Sequence, residues 1–132
     1  MHSVVITPLY AALIAIVFVI LSVRTLRLRR RFSVAIGSGE EPALARAARA
    51  HANCAEYVPI ALLLILFMEL RFGTGIWIHA FGSTLLVGRI VHAFGISQVT
   101  EDYRFRVAGM ALTFTVIIGT SLRLIYGFFA NA

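Results

Sequence analysis

A run of twenty residues without a charge, Val4 to Val23, constrains the fold of this 132-residue chain more than any other feature. A helix needs about twenty predominantly apolar residues to cross a hydrocarbon core of roughly 30 Å. Three more long apolar stretches follow, so the sequence predicts an all-α, integral membrane four-helix bundle with a left-handed up-down topology. We interpret residues 1–132 as a single four-span domain, with spans at about 4–31, 42–72, 75–95 and 101–129.

The composition agrees with a membrane protein, because 60% of the residues are hydrophobic and only 14% are charged. In a soluble domain about a quarter of the residues are charged. The net charge is +6, and every basic residue other than histidine is arginine. No soluble basic module remains outside the spans, which argues against nucleic-acid binding. The single cysteine, Cys54, excludes an internal disulfide.

The distribution of arginine predicts the orientation in the membrane. The connections between spans one and two and between spans three and four hold nearly all the arginines, whereas the middle connection contributes only Arg71. Since basic connections stay in the cytoplasm, both termini are expected on the non-cytoplasmic side. The first apolar run lacks a basic leader, so we interpret it as a retained span and not as a cleaved signal peptide.

Polar residues are expected to mark the starts of the second and fourth helices. For the second helix, Ser38 or Gly39 is the predicted N-cap, with Glu40, Glu41 and Pro42 in the first turn. For the fourth helix, Thr100 is the predicted N-cap.

The second span is polar in its first half. Its apolar part, residues 57–68, covers only about 18 Å at 1.5 Å per residue, so some polar residues must lie below the membrane surface. Arg46, Arg49, Asn53 and Glu56 follow one another at spacings of three or four, which places them on one face of a helix. Charged residues within a membrane are functional-site candidates by default.

Polar residues from the other spans are expected at the same cytoplasmic end of the bundle. They are Arg27, Arg31, Arg89, His92, Arg104 and Arg106. Several cations then surround one internal carboxylate, that of Glu56. Because unpaired buried cations are costly, the excess predicts an anionic ligand, bound water or lipid phosphate. A peptide-like zwitterion would suit the set: the arginines would bind its carboxylates, Glu56 its ammonium group and Asn53 an amide. A nearby cation would also lower the pKa of a thiol and favour its nucleophilic form.

Other interpretations of these residues stay open. Arg49 and Glu56 could form a structural ion pair, and His92 could be a core histidine that donates to a backbone carbonyl. No metal is predicted, because His51 and His92 lie on different helices and no cysteine cluster exists. A channel or transporter is the weakest alternative, since the chain lacks inverted repeats.

Three motifs carry a resemblance to a known family. They are RAHANCAE at 49–56 with Pro59 behind it, GRIVH at 88–92 and RVAGM at 106–110. Together they resemble the MAPEG family, the membrane-associated proteins in eicosanoid and glutathione metabolism, and in particular its short bacterial branch. The likeness covers essentially the whole chain, including the Arg27-Leu28-Arg29 exit from the first span.

The resemblance implies a homotrimer in the bacterial inner membrane, with glutathione bound as co-substrate between subunits on the cytoplasmic side. The implied activity is that of a glutathione transferase or peroxidase, with a lipophilic electrophile or hydroperoxide as second substrate. Membrane lipid is a further expected partner. The positions that hold or frame glutathione are Arg27, Arg49, Asn53, Glu56, Arg89 and His92. Arg106 falls on the arginine that activates the thiol, and Arg104 competes for that role.

The chain departs from this pattern at three positions. Prostaglandin E synthase relatives have a tyrosine four residues after the histidine and another four residues after the activating arginine, where this chain has Ile96 and Met110. The arginine that precedes the asparagine in those enzymes is Ala52 here. These departures favour the alternative function, a non-catalytic lipid- or partner-binding membrane protein of the same fold.

Overall fold

Four long helices make up the described part of the chain. The computed structural model describes residues 3–100 and 102–130, and these residues form α-helices with no strand. The helices are α1 (Ile6–Phe32), α2 (Pro42–Phe72), α3 (Ile76–Ser97) and α4 (Tyr103–Phe129). Each is long and apolar enough to span a membrane, which confirms the predicted all-α membrane bundle. Both chain ends lie outside the described residues, as does Glu101. The side of the membrane on which the ends lie stays a prediction.

The helices follow one another up and down, and α3 and α4 have the most extensive contact. α1 packs on α2 and α3, and among the described residues it makes no contact with α4. One apolar core lies toward the end where α1 begins, and its most deeply buried residues are Ile14, Ala61, Ile65, Leu85 and Val116. A smaller core lies toward the other end, formed by Leu21, Ala50, Cys54 and Ile96.

The first turn of α1 is capped by a side chain from α2. Val5, at the N-cap position, has no side-chain cap of its own. The carboxylate of Glu69, which is fully buried, accepts hydrogen bonds from the backbone N–H groups of Val5 (2.9 Å), Ile6 (2.7 Å) and Thr7 (2.7 Å). The first N–H groups of a helix lack intrahelical partners and carry the positive end of its dipole, so a carboxylate there is doubly favourable. Glu69 thereby ties the start of α1 to the last turn of α2.

The predicted helix caps were wrong in both cases. α2 begins with Pro42 directly after Glu41, and no side chain caps it. Because proline has no N–H to satisfy and its φ suits the first helical position, it starts the helix without a capping side chain. α4 is capped by Asp102 and not by Thr100, since the Asp102 carboxylate accepts a hydrogen bond from the Arg104 N–H at 3.0 Å.

Candidate functional site

A buried arginine joins three helices near the polar end of the bundle. Arg89 on α3 is only 2% exposed. Its guanidinium donates to Oδ1 of Asn53 on α2 at 2.8 Å and to Oγ1 of Thr113 on α4 at 2.6 Å. Its Nε has no partner in the described structure. A buried charge is tolerated when it is hydrogen-bonded, and here neutral oxygens on two neighbouring helices accept from the two terminal nitrogens of the guanidinium.

Close approach of α3 and α4 makes this network possible. Gly109 on α4 lies against the backbone of α3: a Cβ there would meet the His92 nitrogen at 2.5 Å and the Gly88 oxygen at 2.6 Å. Small residues let membrane helices approach closely. Because the two backbones touch at this level, the Arg89 side chain reaches the oxygens of α4.

Four of the predicted site residues line one cavity beside this network. The cavity has a volume of about 490 Å³, and its polar lining comes from Arg49 and Asn53 on α2, His92 on α3 and Arg106 on α4. The rest of its wall is apolar and consists of Ile96, Val107, Met110, Ala111 and Phe114. Asn53 and His92 are buried, whereas Arg106, Val107 and Phe114 are exposed. The cavity therefore has a polar inner wall and opens through apolar residues toward the side of the bundle.

Glu56 is not the internal carboxylate that the sequence analysis expected. It pairs with Arg49, two turns earlier on the same helix, across 3.2 Å, and the two side chains are 48% and 59% exposed. An exposed ion pair of this kind contributes at most about 1 kcal/mol to stability. Glu69, at the opposite end of α2, is the fully buried acid. The pair leaves Arg49 at the rim of the cavity, within reach of a ligand.

Two predicted site residues, Arg27 and Arg104, lie away from the cavity. Arg27 is exposed on α1, in a groove formed by residues of that helix alone. Arg104 is exposed in the first turn of α4 and does not line the cavity. Of the two arginines predicted as alternatives near a thiol, Arg106 lines the cavity and Arg104 does not.

Thr113 belongs to this network and was not among the residues predicted from the sequence. Besides accepting from Arg89, its hydroxyl donates to the Gly109 carbonyl at 2.9 Å. Thr113 follows Arg106 by seven residues, and residues at that spacing share a helix face. This spacing was the available signal. No group of three or more histidine, cysteine or acidic residues able to hold a metal occurs in residues 3–100 and 102–130.

Four membrane-length helices with an arginine network and an amphipathic cavity define a small multi-pass membrane protein with a site suited to an amphipathic anion. The chain belongs to the MAPEG family, whose sequence model matches residues 7–126, and this confirms the family predicted from the motifs. It is similar to the inner membrane protein YecN of Escherichia coli K12, with 38% identity over 114 residues, or 86% of this chain and 85% of the relative. YecN of Escherichia coli O6:H1 strain CFT073 gives the same values.

Proposed function

We propose that this protein is a bacterial inner membrane enzyme that binds glutathione in the cavity and transfers its thiolate to a lipophilic substrate. The observation that carries the proposal is the cavity itself. Two guanidinium groups, an imidazole and an amide face about 490 Å³ of space whose other walls are apolar. The family and the inner membrane location of the YecN relatives support the same interpretation.

Recognition rests on the charges at the polar wall. Glutathione has two carboxylates, an ammonium group and two amide bonds. Arg49 and Arg106 are positioned to bind carboxylate or thiolate, because guanidinium groups donate to such anions in charge-assisted hydrogen bonds. Glu56, beside Arg49, offers an acceptor for the ammonium group. Arg89 does not touch the ligand in this proposal and instead orients Asn53.

The chemistry is attack by the thiolate on a substrate that enters through the apolar wall. The positive charge of Arg106 would stabilise the thiolate after the thiol proton leaves to water. With an electrophilic carbon, a sulfur–carbon bond forms while the leaving group departs with its electron pair. With a hydroperoxide, sulfur attacks the oxygen–oxygen bond, which yields an alcohol and a sulfenic acid. A second glutathione then converts the sulfenic acid to disulfide and water.

Arg27 lies away from the cavity within one protomer. It would contribute from a neighbouring subunit of the expected homotrimer.

Titration calorimetry in detergent with glutathione tests the binding step. The parent protein should bind, and Arg49→Ala should weaken binding by tenfold or more, because a hydrogen bond to a charged group contributes about 1.5–3 kcal/mol. Arg30→Ala, which removes an exposed arginine at the same end of the bundle, is the matched control and should bind like the parent. Absence of binding by the parent protein would end the proposal.

The ultraviolet absorbance of bound thiolate tests the activating residue. Arg106→Ala should abolish the thiolate signal while glutathione still binds, and Arg104→Ala should retain it. Loss of the signal in Arg104→Ala alone would assign the role to Arg104.

A second candidate is a non-catalytic protein that binds a lipid or a partner at the same place. The position of Ile96 and Met110 in the cavity wall favours it. At these two positions the prostaglandin E synthase relatives carry tyrosines, so the cavity has fewer polar groups to hold a peptide. Retention of lipid by the purified protein, with no turnover of any electrophile, would distinguish this function from the first.

A further inference from the structure

A second groove lies at the opposite end of the bundle from the cavity. It has a volume of about 420 Å³ between the end of α2, the start of α3 and the last third of α4. Its lining consists of Met68, Trp77, Phe81, Gly119, Leu122 and Arg123. Five of these six residues are apolar, and the exception is an arginine.

Arg123 is held in place by two aromatic rings. Its guanidinium carbon lies 3.9 Å from the centre of the Phe72 ring and 5.9 Å from that of Tyr126. Such stacking fixes the plane of the guanidinium and leaves its N–H edge free to donate. Among the described residues no carboxylate pairs with Arg123, and the nearby acid on α2, Glu69, is occupied by the backbone of α1.

The groove changes character with depth. Trp77 stands in the first turn of α3 and Arg123 six residues before the end of α4, at the level where aromatic and basic residues meet headgroups. Gly119 lies one turn deeper, about 6 Å along α4. A Cβ at Gly119 would come within 2.8 Å of the Phe81 ring, so the absence of a side chain lets that ring lie against α4 at the floor of the groove.

From this arrangement we infer that the groove binds an anionic phospholipid, with its phosphate on Arg123 and an acyl chain lying along the rings of Trp77 and Phe81. The charge and the apolar walls match the two halves of such a molecule. A soluble phosphate would use Arg123 alone and leave the apolar groove unfilled. This site does not depend on the proposed glutathione chemistry, because it shares no residue with the cavity at the other end.

Trp77 provides the readout, because it is the only tryptophan in the chain. The protein is reconstituted in two kinds of phosphatidylcholine vesicle. One contains a minor fraction of brominated phosphatidylglycerol, and the other contains the same fraction of brominated phosphatidylcholine. Bromine atoms on the acyl chains quench tryptophan fluorescence at short range. Brominated phosphatidylglycerol should quench Trp77 more strongly, with a preference of about fivefold, since one basic residue near the surface contributes about that factor. Equal quenching by the two lipids would overturn the inference.

Two variants and one control test the residues. Arg123→Gln should remove the preference for phosphatidylglycerol, and Gly119→Leu should reduce quenching by both lipids because it fills the groove. Arg71→Gln is the control. It removes a positive charge at the same end of the bundle as Arg123, but from α2 and outside the groove, and it should keep the preference. Loss of the preference in Arg71→Gln to the same extent would show general attraction and overturn the site. Reversal of the parent's quenching by inorganic phosphate would also overturn it, since a soluble ion would then be the ligand.

Discussion

The guanidinium of Arg89 donates to Oδ1 of Asn53 across 2.8 Å, and this bond joins α3 to α2 directly behind the cavity. Asn53 also lines the cavity, whereas Arg89 does not. The position of the amide that faces the cavity is therefore set by a cation that does not line the cavity. A change in this pair affects both the stability of the bundle and the geometry of the site.

Replacement of Asn53 by leucine should destabilise the protein by about 2–3 kcal/mol, because a buried charged donor loses an acceptor. Asn53→Asp keeps the acceptor oxygen and should retain most of the stability. Unfolding in mixed detergent micelles, followed by circular dichroism, measures both variants. Equal losses in the two would show that the acceptor oxygen at position 53 is not the stabilising feature.

Replacement of Thr113 by valine should cost about 1–3 kcal/mol, because it removes the hydroxyl that accepts from Arg89 at 2.6 Å and leaves the shape of the side chain nearly unchanged. Thr115→Val is the matched control. Thr115 lies two residues along α4, is exposed, and donates only to its own helix at the Ala111 carbonyl. The control should stay within about 0.5 kcal/mol of the parent. A similar cost at both positions would contradict a role for the Thr113 hydroxyl in holding Arg89.

Replacement of Glu69 by glutamine should destabilise the protein by about 2–3 kcal/mol and loosen the start of α1. The glutamine amide has one acceptor oxygen where three N–H groups need partners, and its own NH₂ group faces donors. Hydrogen exchange at the amides of residues 5–7 should accelerate. Glu56→Gln is the control, because its half-exposed ion pair contributes little. Unchanged exchange at residues 5–7 in Glu69→Gln would refute the capping role.

Replacement of Gly109 by alanine should destabilise the protein by about 1–3 kcal/mol, because the new Cβ would press on the backbone of α3 at two points. The helices must separate, so glutathione affinity should also fall. Gly75→Ala is the control, since a Cβ there has nothing within 4 Å. Thermal unfolding monitored by circular dichroism compares the two, and an alanine at 109 that behaves like one at 75 would contradict the close packing of α3 and α4.

The positions of the helices could be read from the sequence because membrane spans require long apolar runs. All eight helix ends fall within two residues of the predicted bounds. The caps could not be read in the same way. Proline at position 42 starts α2 unaided, and the cap of α1 comes from Glu69, which is more than sixty residues away in sequence.

For the site, helical spacing predicted that Arg49 and Asn53 share a face, and the span ends predicted His92 and Arg106 at the same level. All four line one cavity. Spacing gives no burial, however, so it could not show that Glu56 lies at the surface. It also could not show which cation is buried, because that depends on where α3 touches α4. The ligand, the trimer and the roles of the site residues stay predictions.

The carboxylate that caps α1 belongs to a residue that is synthesised 37 positions after the last residue of that helix. Until the end of α2 is synthesised, the first three amides of α1 have no protein partner, and an emerging chain must satisfy them with water or headgroups. The first two spans therefore reach their final register only as a hairpin, and chains truncated before residue 69 lack the group that fixes the depth of the first span.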